Sequence, residues 1–195
     1  MSTPRLNLNS APLSIAYSLE EHRHRFAAWA AARAAQRGFT SSDKLIAALE
    51  HCGVRAYLAA HVADEIDAGK FERLHHKWCG LIVAHLERAG VRDVRWGRSA
   101  KLVAVYLKSM VIVGAGSNTD LARVAHPPVD STLLQNLAGC KRWPSPHQKS
   151  WRTVKWTQLR EKPYYELIRQ LRSWLTPDEP FWALEQCWFP AKGGA

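Results

Sequence analysis

Cysteine is scarce and scattered. Cys52, Cys79, Cys140 and Cys187 stand far apart, and no CxxC pair occurs. That pattern lacks the spacing of a zinc or iron–sulfur site and fits isolated buried thiols in a reducing compartment. His75, His76 and Cys79 crowd together, but no third and fourth ligand follow at a standard interval, so neither a metal nor another cofactor is expected. Long apolar runs are missing too. Within a helical stretch the longest is Met110 to Val113, far too short to span a bilayer. Met1 to Pro12 is polar and carries no signal-peptide pattern, which makes a cytoplasmic protein without a membrane span the expectation. Alternating strand patterns are nearly absent. Acid is in deficit: 17 Asp+Glu face 27 Lys+Arg, for a net charge of +10 and a pI near 9.8. A surplus of that size attracts polyanions, with DNA or RNA the usual partners and an anionic membrane surface the rival.

What remains is helical. The 195 residues suit one unit, 1–195, or two lobes sharing a cleft. Ser18 and Glu21 form a capping box before an Ala- and Arg-rich helix to Gln36, with Phe26, Trp29 and Ala30 on one face and Gly38 as the stop. Further helices are predicted over 42–52, 56–66, 70–89, 98–113 and 119–124, then from Asp130 to 138, over 157–175 and over 180–188. Residues 139–156 read as a long loop. The expected architecture is an all-α bundle of about seven to nine helices.

Two positions invite chemistry. The helix that starts near Arg98 is apolar almost all round, so it belongs at the centre. Lys101 and Lys108 lie seven apart on it, hence on one face. A lysine there either snorkels to the surface or is held in a cleft, where burial lowers its pKa and frees the amine as a nucleophile. Two prolines, Pro127 and Pro128, then force an extended approach to Asp130, which sits where an N-cap belongs. A capping carboxylate stays ionised near the positive helix end.

Gly97-Arg98-Ser99-Ala100-Lys101 with its apolar helix, followed by Pro128-Val129-Asp130-Ser131-Thr132-Leu133-Leu134, resembles the helix-hairpin-helix superfamily of DNA glycosylases. The segment Ala100 to Met110 looks closest to the archaeal-type 8-oxoguanine glycosylase branch. The resemblance covers residues 96–138, about a fifth of the chain. Val94-Arg95-Trp96-Gly97 stands where the superfamily usually has Leu-Pro-Gly-Val-Gly, which keeps Lys108 open as an alternative to Lys101.

The resemblance implies a two-lobed fold around a cleft, with 96–138 as the catalytic region and 1–95 plus the C-terminal helices as the other lobe. It implies a base-excising enzyme of DNA repair or antiviral defence, acting as a monomer on double-stranded DNA. Its catalytic pair would be Lys101 and Asp130. The base removed would be an oxidised purine or a phage-type modified cytosine. Arg98, Lys108, His126, Trp78, Trp182 and Glu185 are the candidates for holding the flipped base or the DNA. His126 serves equally well as a brace for its turn. Most of the nine tryptophans suit core packing, and the basic, aromatic stretch Lys141-Arg142-Trp143 to Arg152 suits phosphate contact or a solvated loop. The alternative function is a non-catalytic, basic, helical DNA-binding protein.

Overall fold

A computed structural model describes residues 17–140 and 148–188. The expected contact role of Lys141, Arg142, Trp143 and His147 lies outside these residues. Every regular element among the described residues is helical.

The first helix, α1 (Leu19–Gln36), begins where the capping box predicts: Ser18 Oγ accepts from the Glu21 N–H at 3.1 Å. Its buried side is a different face from the aromatic one. Ala27, Ala28, Ala31, Ala32 and Ala35 face inward, while Phe26 and Trp29 are 59% and 54% exposed. Methyl-sized side chains let α1 lie close against the central helix, α5 (Trp96–Leu107). Between them come α2 (Ser42–His51) and α3 (Val54–His61). The third helix starts and ends earlier than its sequence pattern predicts, because Gly53, at φ 84, turns the chain directly into it.

The longest helix, α4 (Ala68–Arg88), is capped by Asp67 and packs on both α2 and α5. Phe71, Trp78, Cys79, Ile82 and Leu86 are buried along it. Residues 89–95 join α4 to α5 and contain two left-handed residues, Gly90 and Asp93. The central helix is buried on all sides, as its composition requires: Ala100, Leu102, Val103, Ala104, Tyr106 and Leu107 are inaccessible or nearly so. It does not run on as a regular helix to 113. From Lys108 to Ala115 it widens into π-helical turns, and Ser109 Oγ donates back to the Val105 carbonyl at 3.0 Å.

Two short helices follow, α6 (Asp120–Val124) and α7 (Ser131–Leu137). The predicted loop over 139–156 is partly helical, with α8 (Gln148–Trp151) and a 3-10 turn at Trp156–Gln158. The last α-helix, α9 (Glu161–Arg172), is shorter than its pattern suggests, and a 3-10 helix over Phe181–Cys187 packs on α6 and α7. Apolar side chains from Ala27 to Leu184 form one continuous core.

Buried polar groups knit this core. His24 on α1 bonds to the Tyr106 hydroxyl at 2.9 Å and pairs with Glu50, tying α1, α2 and α5 together. Deeper inside, His75 shares a 3.0 Å hydrogen bond with Tyr165, and His126 shares one of 3.1 Å with Tyr164. The His75 ring also lies parallel to Tyr164, 5.5 Å away. Burial pushes the His75 pKa down to about 3, and burial together with the neighbouring His75 drives His126 well below its usual value.

Both imidazoles are therefore neutral when folded, whereas the unfolded chain protonates them below about pH 6.5. The unfolded state binds more protons there, so stability is fully present above that pH and falls as the pH drops toward 3. Each imidazole contributes a slope of about 1.4 kcal/mol per pH unit. Denaturant unfolding at pH 7.5 and 5.5 should differ by about 2 to 3 kcal/mol from these two groups. His126→Gln should flatten the dependence, and a wild-type stability that is level across this interval contradicts the account.

Candidate active site

Asp130 is fixed by its backbone before any side chain meets it. Pro128 and Val129 are buried, and Asp130 takes an extended conformation (φ −147, ψ 178) at the start of α7. Its Oδ1 accepts the Leu133 N–H at 2.8 Å, the expected capping bond. The other oxygen is left to point away from the helix. Oδ2 accepts from Lys101 Nζ at 2.9 Å and from the Trp188 indole N–H at 3.3 Å.

Lys101 reaches that oxygen from the second turn of α5. Its side chain is 5% exposed and that of Asp130 is 12% exposed. The ammonium also lies 4.5 Å from the centre of the Trp156 ring, so it is held between a carboxylate and an indole face. Burial lowers the Lys101 pKa most strongly, and the nearby Arg37 charge adds to this; Asp130 and Glu185 pull the other way, but the net shift is downward. For Asp130, burial works upward and is outweighed by the Lys101 charge, the Leu133 N–H and the bonds from Lys101 and Trp188, so its pKa is lowered. The outcome is an ion pair whose amine gives up its proton more readily than an exposed lysine does.

The pair opens onto a cavity of about 400 Å³. Phe26, Ala30 and Ala34 of α1 form one wall, and Val105, Lys108 and Ser109 another. Pro128, Glu185 and Trp188 complete it. The exposed aromatic face of α1 is thus partly accounted for: Phe26 fronts the cavity. Lys108 and Glu185 form a second ion pair inside it, with Lys108 Nζ 5.8 Å from the Trp188 ring. Burial raises the Glu185 pKa, only partly countered by Lys108. A mostly apolar hollow with two lysine–carboxylate pairs on its walls has the composition of a ligand site.

The sequence candidates divide accordingly. Lys101, Lys108, Asp130 and Glu185 meet at the cavity. His126 is buried in the aromatic core, bonded to Tyr164 and packed against Phe71 and Phe181, which makes it a brace. Trp78 is also buried, edge-on to Tyr57 and Phe71. Trp182 is half-exposed and does not line the cavity. Arg98 faces a neighbouring groove and donates to the Ala35 and Gln36 carbonyls at 2.9 Å each. Phe26, Trp156 and Trp188 are the site residues that sequence reasoning did not single out. Phe26 had shown only as part of the aromatic face of the first helix, and the one signal for Trp156 and Trp188 was the high number of tryptophans.

No family model, no curated protein and no solved structure matches this chain. Among the described residues, no helix is long and apolar enough to cross a membrane.

One glycine positions the site. A Cβ on Gly97 would fall 2.0 Å from the Trp156 carbonyl oxygen and 3.2 Å from the Leu159 Cβ, while the Gly97 N–H donates to the Leu159 carbonyl at 3.0 Å. Only glycine lets the Trp156–Gln158 turn press on α5 and bring the Trp156 ring to Lys101. Gly97→Ala should therefore cost about 1–3 kcal/mol in denaturant unfolding. It should also alter Trp156 fluorescence, read in a background where the other tryptophans are Phe. An unchanged stability would mean that the turn is not held by this contact.

Proposed function

We propose that this chain is a DNA glycosylase of the helix-hairpin-helix type, which flips a damaged or modified base out of duplex DNA and cleaves its N-glycosidic bond. The observation that carries this reading is the Lys101–Asp130 pair, 2.9 Å apart at the wall of a cavity faced by Phe26 and Trp188. The motifs that resemble the superfamily supply both members of that pair. Further support comes from the net charge of +10 and from the α4–turn–α5 arrangement, which sets Lys101 on the second of two packed helices. On this reading the cavity is the cleft between two lobes, and the protein works as a monomer in the cytoplasm, in repair or antiviral defence.

The chemistry follows from charge. A stacked base is out of reach, so it must leave the helix at a cost of a few kcal/mol. The cavity offers it aromatic walls, and Glu185 with Lys108 offers its edge an acceptor and a donor. As the base departs, positive charge builds on the sugar, as in other glycoside cleavages. Asp130, ionised and held by three donors, stabilises that charge without having to reorient. Lys101, once deprotonated, attacks C1′ as the C1′–N bond breaks, and the base takes the electron pair and a proton. Ring opening then gives a Schiff base, from which strand nicking can proceed. Attack by water in place of the amine leaves only an abasic site.

Duplexes carrying an oxidised purine or a phage-type modified cytosine, treated with enzyme and then alkali, test the reading. Asp130→Asn keeps a good helix cap but removes the charge that answers Lys101, so base release, measured well below the variant's melting temperature, should fall at least about 100-fold, and the unanswered ammonium should cost about 3–5 kcal/mol of stability. Borohydride should trap the wild type on DNA, Lys108→Gln should still be trapped, and Lys101→Gln should not. Full base release by Asp130→Asn overturns the role given to Asp130, and a wild type that binds these duplexes but releases no base leaves the alternative, a non-catalytic DNA-binding protein.

A further inference from the structure

A second groove, of about 640 Å³, adjoins the Lys101–Asp130 pair. Arg37, Arg98, Arg152 and Lys155 line it, together with Ser131 and Trp156, and no carboxylate does. None of the four cations forms an ion pair among the described residues. They come from three separate parts of the chain: the end of α1, the first turn of α5 and the stretch after α8. Tertiary folding brings together like charges that repel, with no carboxylate in the groove's lining to offset them. The groove near α4 and α9 is different, since there Arg73, Lys162 and Arg169 stand among Glu72 and Glu161.

One of the cations, Arg98, is also held in place. Arg98 is anchored by the Ala35 and Gln36 carbonyls and lies 4.4 Å from the centre of the Phe39 ring. Arg37, next to those carbonyls, has φ 38, a conformation that side-chain-bearing residues rarely adopt, and it projects at the groove. Two wall residues connect the groove to the site: Ser131 follows Asp130, and Trp156 carries the ring on which Lys101 rests. A linear polyanion lying in the groove would pass directly beside the reactive pair.

We infer that this groove binds the phosphodiester backbone of duplex DNA next to the nucleotide being processed. The inference rests on the glycosylase reading and adds the surface that holds the substrate. Guanidinium forks match phosphate oxygens, and the Ser131 and Thr157 hydroxyls supply neutral donors.

The test is anisotropy of a fluorescent, unmodified duplex titrated with the full chain between about 50 and 200 mM salt. The triple variant Arg37→Gln, Arg152→Gln, Lys155→Gln spares Arg98, which secures α1. Each lost phosphate contact lowers the slope of log K against log salt by about 0.9, so this variant should lose about 2 to 3 of the wild-type slope and bind about 10- to 100-fold more weakly. A second triple, Arg73→Gln, Lys162→Gln, Arg169→Gln, removes the same charge from the other groove and should leave the slope unchanged. Should the first triple melt early, Lys155→Glu alone should still reduce the slope by about 1. Wild-type binding that is salt-dependent while the groove variants keep its slope, or while both triples lose equally, overturns the groove and leaves the glycosylase reading standing. Wild-type chain that binds no DNA overturns both together.

Discussion

A lysine ammonium inside a helical core has to be answered by an anion, and much of the local structure around α5 serves that need. Lys101 is almost fully enclosed, where an isolated charge would cost several kcal/mol. Asp130 answers it, and Asp130 can do so because its other oxygen is committed to the N-terminus of α7. The Pro127-Pro128 step, the cap, the indole of Trp188 and the face of Trp156 all converge on one pair of charges. A carboxylate held this firmly needs no reorganisation when positive charge develops beside it, which is the property catalysis by electrostatic stabilisation requires.

Close approach is the second constraint. The alanine face of α1 and Gly97 on α5 are both places where a side chain is nearly or wholly absent so that two segments can touch. The first brings α1 alongside α5 and sets Phe26, Ala30 and Ala34 along the cavity. The second brings the Trp156 turn down onto Lys101. In each case small residues determine where large ones come to rest. The same core holds the paired histidines and tyrosines, whose polar atoms satisfy one another out of reach of water.

Much of the fold was legible along the chain. Ser18 and Asp130 act as the side-chain caps expected of them, and Ser41, Asp67 and Thr119 cap three further helices, because capping depends on residues three apart and needs no distant partner. The near-absence of alternating patterns gave the all-helical class. The misjudged stretches have a common cause. The α5 helix changes to π-helical turns at Lys108, and helices form within 148–158, through contacts made by distant segments, and local propensity carries no record of those. The α1 face was hard to read for a related reason: Phe26 and Trp29 have the look of core residues, yet the packing partner accepts only methyl groups.

The candidate site divides along the same line. The sequence alone determined that a carboxylate stands at the head of α7 and that Lys101 and Lys108 share a face of an apolar helix, since both are matters of local geometry. It also determined the positive charge of the whole. The tertiary structure decided that Lys101 and Asp130, 29 residues apart, come within hydrogen-bond distance, that Glu185 and Trp188 join them, and that His126 and Trp78 belong to the core. It also decided that four cations, without an ion pair among the described residues, gather in one groove beside the pair. The reason is physical. Capping and periodicity act over one or two helical turns, while a site is made by segments far apart in the chain, whose meeting is set by the packing of everything between them.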